Sequence, residues 1–109
     1  KAKQTQVVRI EARLLDNRVI EPGTVTIYAR IATANNRIVC NGTPEEYSFN
    51  MNGINMQYTT RQDVEYTGFA RNINMVWRKG ENVVLAPGLY WVTLYANGNE
   101  IGKTSFKLD

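Results

Sequence analysis

Catalysis requires a nucleophile, an acid or base, or a bound metal held with a tuned pKa, so the side chains able to supply these come first. The 109 residues include no histidine and one cysteine, Cys40. The commonest general base and zinc ligand is therefore absent, and a thiolate at Cys40 would have no imidazole to activate it. A lone cysteine forms no internal disulfide, and Cys40 reads as a buried or half-buried packing residue. Among the carboxylates, Asp63 and Glu65 share one face of an extended segment beside Arg61, and Glu45 and Glu46 follow Pro44 in a turn. Carboxylates so placed are ordinarily solvated charges rather than an acid–base pair. The sequence shows no phosphate-binding glycine loop, zinc spacing or nucleophile elbow. Asp16 and Asn17 could lend oxygens to calcium, but no ligand series accompanies them. Asn41-Gly42-Thr43 matches a glycosylation acceptor, a short pattern that matters only in a secreted eukaryotic chain. The expectation is a protein that is not an enzyme and needs no metal or cofactor.

Binding chemistry is better represented. In "GLYWVTLYA" the alternation sends Tyr90, Val92 and Leu94 to one face of a strand and Trp91, Thr93 and Tyr95 to the other. An outward Trp and Tyr on one strand form an aromatic strip that can stack on sugar rings, bases or a partner protein. The competing reading is that a loop or neighbouring strand covers them, since aromatic residues are favoured on both faces of strands. A second mixture, Arg61, Arg71, Arg78 and Lys79 among Tyr58, Tyr66, Phe69 and Trp77, is the kind that serves single-stranded nucleic acid. Trp77, however, alternates with Met75 and Ile73 as a core strand does.

Net charge is +3, and residues 1–40 hold a balance of +4 against −1 for the rest. Arg9, Glu11 and Arg13 alternate in sign along one strand face, which reads as solvent decoration rather than a nucleic-acid patch. A nucleic-acid partner is accordingly not expected.

These residues must be positioned by strands. Hydrophobic content of 43% and charged content of 21% are those of a globular rather than a disordered chain. At this length one domain, residues 1–109, buries roughly two thirds of its unfolded surface without staples. No apolar run approaches the roughly 18 residues of a membrane span. Val8, Ile10, Ala12 and Leu14 alternate with Arg9, Glu11 and Arg13, and Val25, Ile27, Ala29 and Ile31 alternate with Thr26, Tyr28 and Arg30. Turns are expected at Asp16-Asn17-Arg18, at Glu21–Thr24, at Asn35-Asn36 leading into "RIVC", at Asn52-Gly53, around "RKGEN" and at Asn97-Gly98. Short β-branched and aromatic runs without helical periodicity predict an all-β antiparallel sandwich of about seven to eight strands with no disulfide. Phe106 and Leu108 on the last strand are expected to return to the core.

The stretch Leu85-x-Pro87-Gly88-x-Tyr90-x-Val92 resembles the tyrosine corner of immunoglobulin-like and fibronectin-like sandwiches. The resemblance implies that the Tyr90 hydroxyl bonds back to an upstream backbone group. It also implies that Val92 stands where antibody domains place a cysteine. Read end to end, "KAKQTQVVRI", "DNRVIEPGTVTIYARI", "QYTTRQDVEY" and "LAPGLYWVTLYANGNEIGKTSFKL" resemble a family of largely uncharacterised bacterial proteins. In that family a membrane anchor and a long coiled coil precede a C-terminal β domain. The resemblance covers nearly the whole chain and carries no catalytic residue. It implies the C-terminal domain of a longer envelope or periplasmic protein, touching the membrane only through an N-terminal anchor outside this sequence. The lack of an initiating Met before Lys1 fits a removed leader or a longer parent chain. The expected function is a non-catalytic protein-interaction or structural module, working through a strand edge or the Trp91/Tyr95 face. The alternative is a carbohydrate-binding module using Trp91, Thr93 and Tyr95.

Overall fold

The alternation of Val25, Ile27, Ala29 and Ile31 with polar neighbours is carried into three dimensions as a buried and an open face of one long strand. The computed structural model describes residues 6–14 and 21–109, so the turn expected at Asp16-Asn17-Arg18 lies outside the described residues. These residues form eight strands: β1 (Val7–Leu14), β2 (Gly23–Thr33), β3 (Ser48–Met51), β4 (Ile54–Gln57), β5 (Thr60–Tyr66), β6 (Arg71–Arg78), β7 (Gly88–Ala96) and β8 (Asn99–Leu108). All pairings are antiparallel. Four strands build one sheet in the order β5-β2-β7-β8, β1 and β6 pair in a second, and β3 and β4 form a separate hairpin.

The inward faces of the two larger sheets share one core. Ile10 and Leu14 of β1 and Ile73, Met75 and Trp77 of β6 meet Val25, Ile27, Ala29 and Ile31 of β2 and Tyr90, Val92, Leu94 and Ala96 of β7. This is an all-β antiparallel sandwich of eight strands. Full burial of each such aliphatic side chain contributes about 1.5–3 kcal/mol, and a domain of this size needs no further staple.

Turn chemistry follows the residues. Asn52-Gly53 and Asn97-Gly98 both adopt positive φ, at 53° and 89° and at 49° and 75°, the conformation of a two-residue hairpin turn matched to strand twist. Asn36 does the same at 64°. The "RIVC" segment after it is not a full strand: it returns beside β2 through one bridge, Ala32 to Ile38, and a bond from the Val39 N–H to the Ile31 carbonyl. Residues 43–46 close a capping box: Thr43 Oγ1 accepts from the Glu46 N–H at 3.2 Å while Glu46 Oε1 accepts from the Thr43 N–H at 2.9 Å. Phe106 and Leu108 reach the core only in part and remain half-buried.

The third hairpin decides what the outer face of the large sheet looks like. Phe49 stacks on Tyr28 with ring centroids 4.2 Å apart and tilts against Tyr95 at 5.7 Å. Asn52 Nδ2, at the tip, donates to the Gly98 carbonyl at 2.8 Å, so the two turns are docked together. Arg30 Nε donates to the Gln57 carbonyl at 2.7 Å and ties the far end of the hairpin to β2. β3 and β4 therefore lie across the solvent side of β2 and β7 as a cover.

Candidate functional site

Tyr90, Val92 and Leu94 are buried, and Trp91, Thr93 and Tyr95 stand on the outer face of β7, as strand parity dictates. The three outer residues do not make a continuous flat strip. Tyr95 is half-buried under Phe49, Thr93 is half-buried opposite Arg30 and Lys103, and Trp91 alone remains substantially open, at 41% exposure. Lys103 Nζ lies 5.0 Å from the centroid of the Trp91 ring, a cation–π contact that occupies one side of the indole. Together with Arg30, Asn36 and Glu100 these residues line a cleft of about 220 Å³. It offers two aromatic side chains, the open Trp91 and the half-buried Tyr95, with two cations and one carboxylate, a chemistry suited to a small polar ligand rather than to a long chain of stacked rings.

The corner before β7 is well defined. Gly88 takes φ of 139°, a backbone setting that L side chains rarely adopt, and lets the chain turn from Pro87 into the strand. Leu85 is buried beneath it and Pro87 is exposed. The Tyr90 hydroxyl donates to the Ala86 carbonyl at 2.6 Å, and its ring stacks on Phe106 with centroids 5.2 Å apart. Burial raises the Tyr90 hydroxyl pKa above its ordinary value of 10.0.

A second surface lies where the two sheets meet at their rims. On one side of the sandwich β5 leads into β6 and the two touch, with a cleft of about 420 Å³ between Thr60 and Arg61 of β5 and Val76 and Arg78 of β6. On the other side, among the described residues, β1 bonds only to β6 and β8 only to β7. Between these two edges runs a lengthwise groove in two compartments of about 200 and 480 Å³, which share Ile10, Glu11, Val92 and Thr104. The inward positions along its walls are incompletely covered: Val8 and Ala12 on β1 and Phe106 and Leu108 on β8 are half-buried, and Thr104 is exposed although it faces inward opposite buried Val92. Gly102 also faces inward, opposite Leu94, and a Cβ there would meet nothing nearer than Leu94 Cδ1 at 4.0 Å. A small residue within a strand marks a place where another backbone can approach closely.

Sequence reasoning named a strand edge as a route to binding without saying which edge. The available signal is in "IGKTSF": Gly102 and Thr104 occupy positions where the alternation set by Leu94 and Val92 calls for large apolar side chains. A strand that does not fill its own half of the core leaves that space to something else.

The remaining candidates resolve into structure. Thr26 donates to Asp63 at 2.7 Å and Thr24 donates to Glu65, each pair directly opposed across β2 and β5. These carboxylates are thus cross-strand partners on an open sheet face. Glu46 is held below its ordinary pKa of 4.5 by the Thr43 N–H and then the Thr43 hydroxyl. Cys40 is half-buried. Tyr66 and Trp77 are buried in the core and Phe69 is 73% exposed, while Tyr58, Arg61, Trp77 and Arg78 line one cleft of about 420 Å³, so only part of the mixture between 58 and 79 is gathered on one surface. Among the described residues no three carboxylate or thiol side chains are grouped closely enough to hold a metal ion, and no helix is long and apolar enough to cross a membrane.

No curated protein and no solved structure matches the chain. The chain does match, over residues 1–109, the family described as a domain of unknown function (DUF8428), and it belongs to that family.

Proposed function

We propose that this protein is a non-catalytic interaction module, an immunoglobulin-like sandwich that binds another protein by accepting an extended segment along the groove between β1 and β8. The observation that carries the reading is the open rim itself. Two neighbouring strand edges end without a further partner among the described residues, over an apolar floor of Ile10, Ile73, Val92 and Leu94. Backbone groups on such edges supply affinity by hydrogen bonding to an added strand, and pockets for alternate side chains supply specificity. The bond from Tyr90 to Ala86 supports reading the corner before β7 as a tyrosine corner, and with it the immunoglobulin-like relationship. The resemblance to anchored bacterial coiled-coil proteins supports a periplasmic or envelope setting at the C-terminal end of a longer chain.

The test is a screen of displayed extended peptides against the whole chain, with binders mapped by amide hydrogen exchange. Protection confined to β1 and β8, and lost in Gly102→Leu, is the expected result. Binders that protect other strands, or that bind Gly102→Leu unchanged, would remove the groove from consideration.

A second reading, carbohydrate binding, is favoured by one observation, the exposure of Trp91 beside Arg30 and Lys103 in the 220 Å³ cleft. It requires that tryptophan fluorescence shift on adding cell-wall polysaccharide and that Trp91→Ala abolish the shift.

A further inference from the structure

We infer that the segment taken up by the β1/β8 groove is an acidic strand, with apolar residues at every second position and Asp or Glu between them. The inference rests on the groove reading above and adds the chemistry of the partner. Strand periodicity sets the first half of it. An added strand presents alternate side chains to the floor and to solvent, and the floor is mainly apolar: Ile10, Ile73, Val92 and Leu94, flanked by Ile101 and Leu108, with Thr104 the polar side chain among them. The inward positions must therefore be apolar. The two compartments differ in size, 200 Å³ near Leu14 and Ile101 and 480 Å³ near Val7 and Leu108, so the bulkier side chains belong at the Leu108 end.

Charge sets the second half. The outward side chains of an added strand lie beside those of whichever edge it pairs with. Along β1 these neighbours are Arg9, Glu11 and Arg13, and along β8 they are Lys103, Ser105 and Lys107. Both rows are net basic, and all six residues are exposed or nearly so. Arg13 spends one donor on Asn72 Oδ1 at 3.1 Å and Lys103 sits over Trp91, but no ion pair among the described residues neutralises any of the four cations. Like charges opposite one another destabilise a strand pair, so a second copy of this chain joined β8 to β8 would bring the Lys103 and Lys107 rows together. Carboxylates in an incoming strand meet the opposite condition. The eight residues of β1 correspond to roughly 27 Å of extended chain, which sets the length of the segment at about that of β1.

The experiment uses three synthetic peptides of about β1's length. Each has Val and Leu at alternate positions, and the positions between carry Glu with Ser, Ser alone, or Lys with Ser. Binding to the full chain is read by fluorescence anisotropy at low and high salt. The acidic peptide is expected to bind about tenfold tighter than the Lys peptide at low salt, since each exposed pair contributes a few-fold, with the gap narrowing at high salt. The double variants Lys103→Glu/Lys107→Glu and Arg9→Glu/Arg13→Glu change only exposed positions, and unfolding curves check that they fold. Reversal of the peptide preference in either variant supports the inference and identifies the edge. Equal binding of all three peptides, lost in Gly102→Leu, would overturn the acidic partner and leave the groove reading standing. Binding by none of them, or binding indifferent to Gly102→Leu, would overturn both.

Discussion

Removing one oxygen atom at residue 59 should cost this domain a large part of its stability. Thr59 is 1% exposed and lies just before β5. Its N–H donates to the Ala29 carbonyl at 2.7 Å, and its hydroxyl takes over where the β2/β5 ladder stops. The hydroxyl accepts from the Ile31 N–H at 2.9 Å and donates to the Val39 carbonyl at 2.7 Å. One side chain thus supplies both the ladder partner that β2 lacks beyond Thr60 and the tie that holds the segment after Asn36. Thr59→Val keeps the shape, removes both bonds and strands a buried N–H and a buried carbonyl. Each of the two stranded groups costs about 1–3 kcal/mol, offset by about 0.8 kcal/mol for the added buried methyl, for a net loss of about 1–5 kcal/mol. With a shift of about 4–8 °C per kcal/mol for a domain of this size, Tm should fall by roughly 5–40 °C. Thr59→Ser keeps the hydroxyl and loses only the methyl, at about 1 kcal/mol. Denaturant and thermal unfolding of the two variants beside the parent settle the matter, with hydrogen exchange at the Ile31 amide as the local readout. A Val variant as stable as the Ser variant would show that the bridge is not what holds this corner.

Phe49→Ala removes the ring that covers Tyr28 and Tyr95 and should cost about 3–5 kcal/mol; exchange mapped by NMR should show β3 and β4 amides losing protection while β2 and β7 keep theirs. Tyr90→Phe should lose about 0.5–1.5 kcal/mol with the bond to Ala86. The raised Tyr90 pKa means that the folded state holds this proton more tightly than the unfolded chain. Its contribution is therefore complete below pH 10.0 and declines as pH rises through the folded value. Alkaline unfolding curves of the Phe variant should be flatter in that window. Glu46, by the opposite sign, should titrate below 4.5 in an NMR carboxyl titration, so the capping box is intact above that value and opens as pH falls through the lowered pKa. Thr43→Ala should return the midpoint toward the ordinary one.

Much of the fold was legible in one dimension because its rules are local. Alternation in "VTIYARI" and "LYWVTLY" assigns each side chain to a face whatever the strand pairs with, and Asn-Gly at 52–53 and 97–98 specifies turns through φ alone. The corner at Leu85, Pro87, Gly88 and Tyr90 is local in the same sense: Tyr90 reaches back four residues to Ala86.

What local rules cannot reach is which faces and edges end up covered. Trp91 and Tyr95 are equivalent by parity, yet a hairpin about 45 residues upstream half-covers Tyr95 and leaves Trp91 open, through contacts from Phe49 and Asn52 that no spacing predicts. No local pattern singles out Thr59, and its hydroxyl gains its role only because β5 begins opposite Ala29. The groove is the clearest case. Gly102 and Thr104 are weak core residues in the sequence, but that they leave a gap, rather than face a bulky neighbour, depends on β1 and β8 meeting at the same rim with neither paired to the other. Face is a property of two adjacent residues, whereas coverage is a property of the packed sheets. The chain by itself therefore determined the strands, their faces and their turns, and the tertiary structure alone decided where the surface was left open to a partner.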